Sequence, residues 1–146
     1  MLKKISMLLS IFAFALVSAS GVYAVGKDDV LGVWGIPVKD SKTVFKTEVE
    51  IYNCGEKYCG KMIKVSNPEA LDAANKDEAL KGRKLLGLEM IWGFEFDDGM
   101  WEDGKIYNAE NGKTYNSKMS LKSNEVLEVK GCVAFFCQGM DWYRIK

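Results

Sequence analysis

The side chains best equipped for chemistry are four carboxylates, Asp97, Asp98, Glu102 and Asp103, that fall close together in the chain. Grouped acids could bind Ca²⁺ through oxygen ligands or supply a paired general acid and base. Their spacing matches no EF-hand loop, and the adjoining Gly99 and Gly104 make turn formation a sufficient reason for the composition. The chain contains no histidine. That removes histidine metal ligands, Ser-His and Cys-His nucleophile pairs, and the commonest acid–base group of neutral pH. No catalytic residue, metal ligand or cofactor is therefore assigned, and the expectation is a protein that is not an enzyme. A carboxylate-dependent hydrolase is the remaining catalytic alternative. Lys81, Arg83 and Lys84 form a small basic group, read as a solvated face. Twenty basic and twenty acidic residues balance, so the totals carry no nucleic-acid footprint.

Cysteine chemistry is the second possibility. Cys54 and Cys59 are spaced C-x₄-C, and Cys132 and Cys137 repeat the spacing. An even count in a small chain with an export signal reads as disulfides. Three pairings exist. The local ones, Cys54–Cys59 and Cys132–Cys137, are preferred because each can clip a hairpin, directly opposed strand residues being close enough to bridge. Each short ring contributes only about 2 kcal/mol, against about 4.5 kcal/mol for a bridge joining the two regions, so geometry decides. Zinc knuckles space their cysteines more tightly than this.

These groups sit on segments whose hydrophobic period is two. Phe45, Thr47, Val49 and Ile51 alternate with Lys46, Glu48 and Glu50. Tyr58 to Val65 follows as the hairpin partner. Leu88, Met90, Trp92, Phe94 and Phe96 form the strongest alternation, which ends at the turn Asp97-Asp98-Gly99. Trp101 to Asn108 returns, and Asn111-Gly112 is a strong hairpin signal. Tyr115 to Leu121, Val126 to Cys132 and Met140 to Ile145 complete the set, with Gly32 to Val38 opening it. About eight short strands joined by tight turns predict an all-β fold, a small antiparallel barrel or sandwich. Asn67-Pro68-Glu69 carries the marks of a helix start, so Asn67 to Arg83 reads as a short helix or long loop crossing between two halves of the sheet.

Met1 to Ala24 has the layout of a cleavable secretory signal. Lys3 and Lys4 precede an apolar stretch, Met7 to Val17, and small residues lead to Ala24. The apolar run is shorter than the ~20 residues of a membrane-spanning helix. Removing Lys3 and Lys4 leaves 18 basic and 20 acidic groups, a formal charge of −2. Residues 25–146 are expected to form one domain, periplasmic or secreted.

Several stretches in order resemble a bacterial family of exported proteins, domain-of-unknown-function family 2147, described as lipocalin-like. They are Gly32-Val33-Trp34, Cys59-Gly60-Lys61-Met62-Ile63, Asn75-Lys76-Asp77, Leu80 to Leu88, Trp101 with Gly104-Lys105-Ile106-Tyr107, Asn111 to Tyr115, Val129 to Cys132, and Cys137 with Trp142-Tyr143-Arg144. Asn108-Ala109 stands where the family pattern has Asp-Pro. The resemblance implies an up-and-down barrel and export, and no chemistry. Lipocalins open with Gly-x-Trp and stack an arginine of the last strand on that tryptophan, which makes Trp34 and Arg144 the implied closure pair.

Inward side chains of an eight-stranded barrel either fill it or line one small cavity. Trp92, Phe94, Phe96, Trp101, Tyr107 and Tyr115 are the candidate lining residues. The expected function is binding of an apolar or amphiphilic small molecule. A filled barrel that presents Asn67 to Arg83 to another envelope protein is the alternative.

Overall fold

The computed structural model describes residues 24–39 and 41–146. Of the expected signal, all but Ala24 lies outside the described residues. Eight antiparallel strands close into an up-and-down barrel in chain order. They are β1 (Gly32–Pro37), β2 (Phe45–Cys54), β3 (Lys57–Val65), β4 (Glu89–Asp97), β5 (Met100–Asn108), β6 (Lys113–Ser123), β7 (Val126–Val133) and β8 (Phe136–Arg144). β8 begins four residues before the alternation predicts, because Phe136 continues the ladder opposite Val133.

One end of the barrel is a floor. Residues 24–31 run across it, and their carbonyls take the donors that the strands aim there. Trp34 Nε1 donates to Val30 O at 2.8 Å, and Trp101 Nε1 to Lys27 O at 3.2 Å. The Arg144 guanidinium donates to the carbonyls of Asp29, Leu31 and Asn124 at 2.6, 3.1 and 2.6 Å. Its plane lies 4.1 Å from the centre of the Trp34 ring. A half-buried cation over an indole contributes about 1 kcal/mol.

Next to the floor the interior is filled by side chains. Trp34, Trp101, Trp142, Phe94, Ile91, Met119 and Leu127 are fully buried. Phe94 reaches the axis because Gly104 faces it: a Cβ at that position would collide with the Phe94 ring.

The cysteines form Cys54–Cys59 and Cys132–Cys137 disulfides. Only the second joins directly opposed residues. The two-residue turn Gly55-Glu56 sets Cys54 opposite Lys57 and Cys59 opposite Tyr52, so the first bridge is diagonal.

The alternation in β2 also breaks once. Ile36 pairs with Thr47 but Pro37 with Phe45, leaving Lys46 as the extra residue. Phe45 therefore packs outside, against Gly35 and 6.3 Å from Tyr143.

Candidate functional site

The rim opposite the floor is crossed by residues 66–88, between β3 and β4. The helix start at Asn67 does not develop. Asn67 instead accepts from the Glu69 N–H and closes a turn to Ala70. The helical hydrogen bonds are then pre-empted by a short ladder: Asp72 N donates to Arg83 O, and Leu85 N to Ala70 O, both at 2.9 Å. The single helical turn in this segment lies later, at Glu78–Leu80, capped by the Asp77 carboxylate. Gly87 N–H and Leu88 O bond to Met62 of β3 and anchor the segment.

Its fastening point is Asp72, whose side chain is completely buried. Tyr107 donates its hydroxyl proton to Asp72 Oδ1 at 2.5 Å. Asn75 Nδ2 and Arg83 Nε both donate to Oδ2 at 2.8 Å. Asn75 also reaches the Tyr107 hydroxyl at 3.0 Å, and the Arg83 guanidinium lies 5.6 Å above the Tyr107 ring. A buried carboxylate is tolerable only with such satisfaction. Gly112 completes the contact: with φ +67° and the Ala74 carbonyl pressed against its Cα, it leaves no room for a Cβ.

The electrostatics follow from this geometry. Burial pushes the Asp72 carboxyl up, but the bonds from Tyr107, Asn75 and Arg83 outweigh it and hold the group below its ordinary value. Burial, reinforced by the Asp72 bond, raises the Tyr107 phenol. A depressed carboxylate stabilises the fold above its unfolded value and loses that contribution as pH falls through the folded one. A raised phenol stabilises below about pH 10 and loses its contribution as pH climbs through the raised value. Melting temperature is accordingly expected to drop below about pH 4 and again above about pH 10. In Asp72→Asn the acid limb should become shallower; an unchanged limb would show that Asp72 does not drive it.

Between this segment and the outer wall lies an open cleft of about 410 Å³. The lining is mixed: Leu80, Leu88 and Trp92 are apolar, while Asn75, Arg83, Glu89, Tyr107 and Thr114 are polar. Strand register places the cleft outside the barrel. Ile91 pairs with Ile106 facing the core, so Trp92 opposite Lys105, and Tyr107 opposite Thr114, face outward. A second cleft, of about 380 Å³, lies near the floor at Val25 and Leu121–Asn124.

The six aromatic candidates thus separate. Trp92 and Tyr107 come together in the outer cleft. Phe94 and Trp101 are core, and Phe96 packs on Trp101 at 5.1 Å. Tyr115 shares the side of Ile106, and its hydroxyl accepts from Asn111 Nδ2 at 2.9 Å. Asp97, Asp98, Glu102 and Asp103 line neither cleft. Among the described residues, no three Cys, Asp or Glu are placed to hold a metal ion. Asp72 and Asn75 escape sequence reasoning. The available signal is an acid set among Ala70, Leu71, Ala73 and Ala74, where a solvated loop has no need of apolar neighbours.

The profile of a family described as an uncharacterized protein conserved in bacteria (DUF2147) matches residues 32–144, from the first strand to the last. The chain belongs to this family. A solved structure with the same architecture is protein HP1028 from Helicobacter pylori, described as belonging to the lipocalin family. It matches the DUF2147 chain with a TM-score of 0.69 at 20% identity, over 80% of this chain and 82% of that one. At that identity the likeness is one of fold, and the DUF2147 barrel is lipocalin-like. No curated protein matches the chain.

Proposed function

We propose that this is an exported, non-enzymatic binding protein for an apolar or amphiphilic small molecule, held between the 66–88 segment and the outer wall of β4–β6. One observation carries the reading. The ligand-sized cleft beside the 66–88 rim segment pairs an indole and two leucines with an arginine and an amide, which suits a chain with a polar head. The floor-side part of the barrel interior, where a lipocalin-like fold leads one to expect a ligand, is occupied by Trp34, Trp101, Trp142 and Phe94. Two disulfides fit an oxidising compartment. With Met1–Ala24 as a signal, residues 25–146 are one domain, periplasmic or secreted, that needs no cofactor.

Trp92 offers a direct test, because it is half-buried while Trp34, Trp101 and Trp142 are fully buried. Bromine quenches tryptophan on contact. Titration with a brominated fatty acid is expected to quench emission saturably in the wild type and hardly at all in Trp92→Phe. The absence of saturable quenching, or undiminished quenching in Trp92→Phe, would count against this site.

A further inference from the structure

We propose that β8 is a docking edge for a second copy of this chain, paired antiparallel through Phe136–Met140 about a two-fold axis at Gln138. This is independent of the ligand reading and lies at the seam between β1 and β8.

β8 pairs with β7 along its length but with β1 only at Tyr143 and Arg144. The reason is in β1, which ends at Pro37, a residue with no N–H to extend the ladder. Val38 then turns away, its N–H bonding to Val44 O at 3.0 Å. Arg144 N donates to Glu125 O on the β7 side, and Ile145 N to Val33 O on the β1 side. The ladder with β7 has no register shift. Alternation along the strand therefore aims the N–H and C=O groups of Cys137, Gly139 and Asp141 into the seam, where no strand among the described residues pairs with them.

Native edges are blunted by lysine, proline or inward-pointing charge. Phe136 to Met140 contains none of these, and all five residues are exposed. Phe136 is 84% and Met140 47% exposed, on the face that β8 otherwise turns to the core at Trp142.

The sequence of this edge is self-complementary. A two-fold at Gln138 sets Cys137 against the partner's Gly139 as a hydrogen-bonded pair, small against small. On the other face Phe136 meets the partner's Met140, apolar against apolar, and it does so twice. No like charges face each other. Moving the axis to Gly139 would instead set Phe136 against Trp142, which is already buried, and Cys137 against Asp141. The pattern thus selects one register for one occupant, a copy of itself.

Sedimentation equilibrium of the protein purified from its host's envelope tests this. The wild type is expected to be a dimer at about 100 µM. Phe136→Lys should weaken association at least about tenfold with an unchanged circular dichroism spectrum, since Phe136 makes no core contact. Adding Met140→Glu to Phe136→Lys should restore the dimer, because the two positions face each other across the axis. A wild type that stays monomeric, or a double variant no better than the single, overturns the proposal. A monomer that co-sediments with phosphatidylglycerol vesicles also overturns it, and assigns the apolar edge to a membrane surface.

Discussion

Trp34→Ala is expected to lower unfolding free energy by about 4 kcal/mol, the largest loss of any single change considered. The indole is fully buried and holds three parts of the floor at once. Truncation leaves a large cavity in a packed interior. It also strips Val30 O of its donor and removes the ring under Arg144. Arg144 keeps its three carbonyl bonds, so the floor loosens without detaching. Trp34→Phe keeps most of the volume and loses the Nε1 bond, so about 1–2 kcal/mol is expected there. Urea unfolding of both variants checks the order. A loss below about 1.5 kcal/mol for Trp34→Ala would mean that the floor is held by other contacts.

Asp72→Ala is expected to cost about 2–3 kcal/mol. Removing one partner of a fully buried ion pair typically costs 3–5 kcal/mol, because the surviving charge is stranded. Here the surviving charge, Arg83, is 36% exposed and can recover water, which lowers the figure. Tyr107 and Asn75 have no such escape and lose a charged acceptor each. The segment at 66–88 should then protect its backbone less well, measurable as faster amide exchange at position 72 and at Leu85, whose N–H groups make the short ladder. Affinity for a cleft ligand should fall in parallel, since that segment forms one wall. A stability change within about 0.5 kcal/mol would show that the network is not what fastens it.

The architecture was readable because period-two alternation and turn residues are local signals, and hairpins turn local signals directly into topology. Facing direction was not, and β4 shows why. Trp92, Phe94 and Phe96 look like one face of one strand. Gly93 adopts φ +78° between the first two, so that Ile91 and Phe94 are the buried pair and Trp92 is turned outward. Asp103, with φ +56°, interrupts β5 in the same way between Trp101 and Gly104, where the ladder to β6 shifts. A single extra residue reverses every side chain beyond it, and nothing in the residue types announces it. The cleft was hidden for a different reason. Its wall depends on contacts between Asp72 and Tyr107, 35 positions apart, and on a glycine that admits a carbonyl. Trp34 and Arg144 were found only through the Gly-x-Trp resemblance, since an isolated arginine near a terminus ordinarily reads as surface.

The central claim is that the outer cleft, rather than the barrel interior, carries an amphiphile. Native mass spectrometry of the protein purified from its own host's envelope tests it most directly, with any released molecule identified after denaturing extraction. The account predicts one lipid or other amphiphile per chain in the wild type and its loss in Trp92→Arg, which fills the cleft from a half-buried position. A bare wild-type mass that also takes up no added fatty acid would contradict it. So would an adduct that Trp92→Arg retains in full.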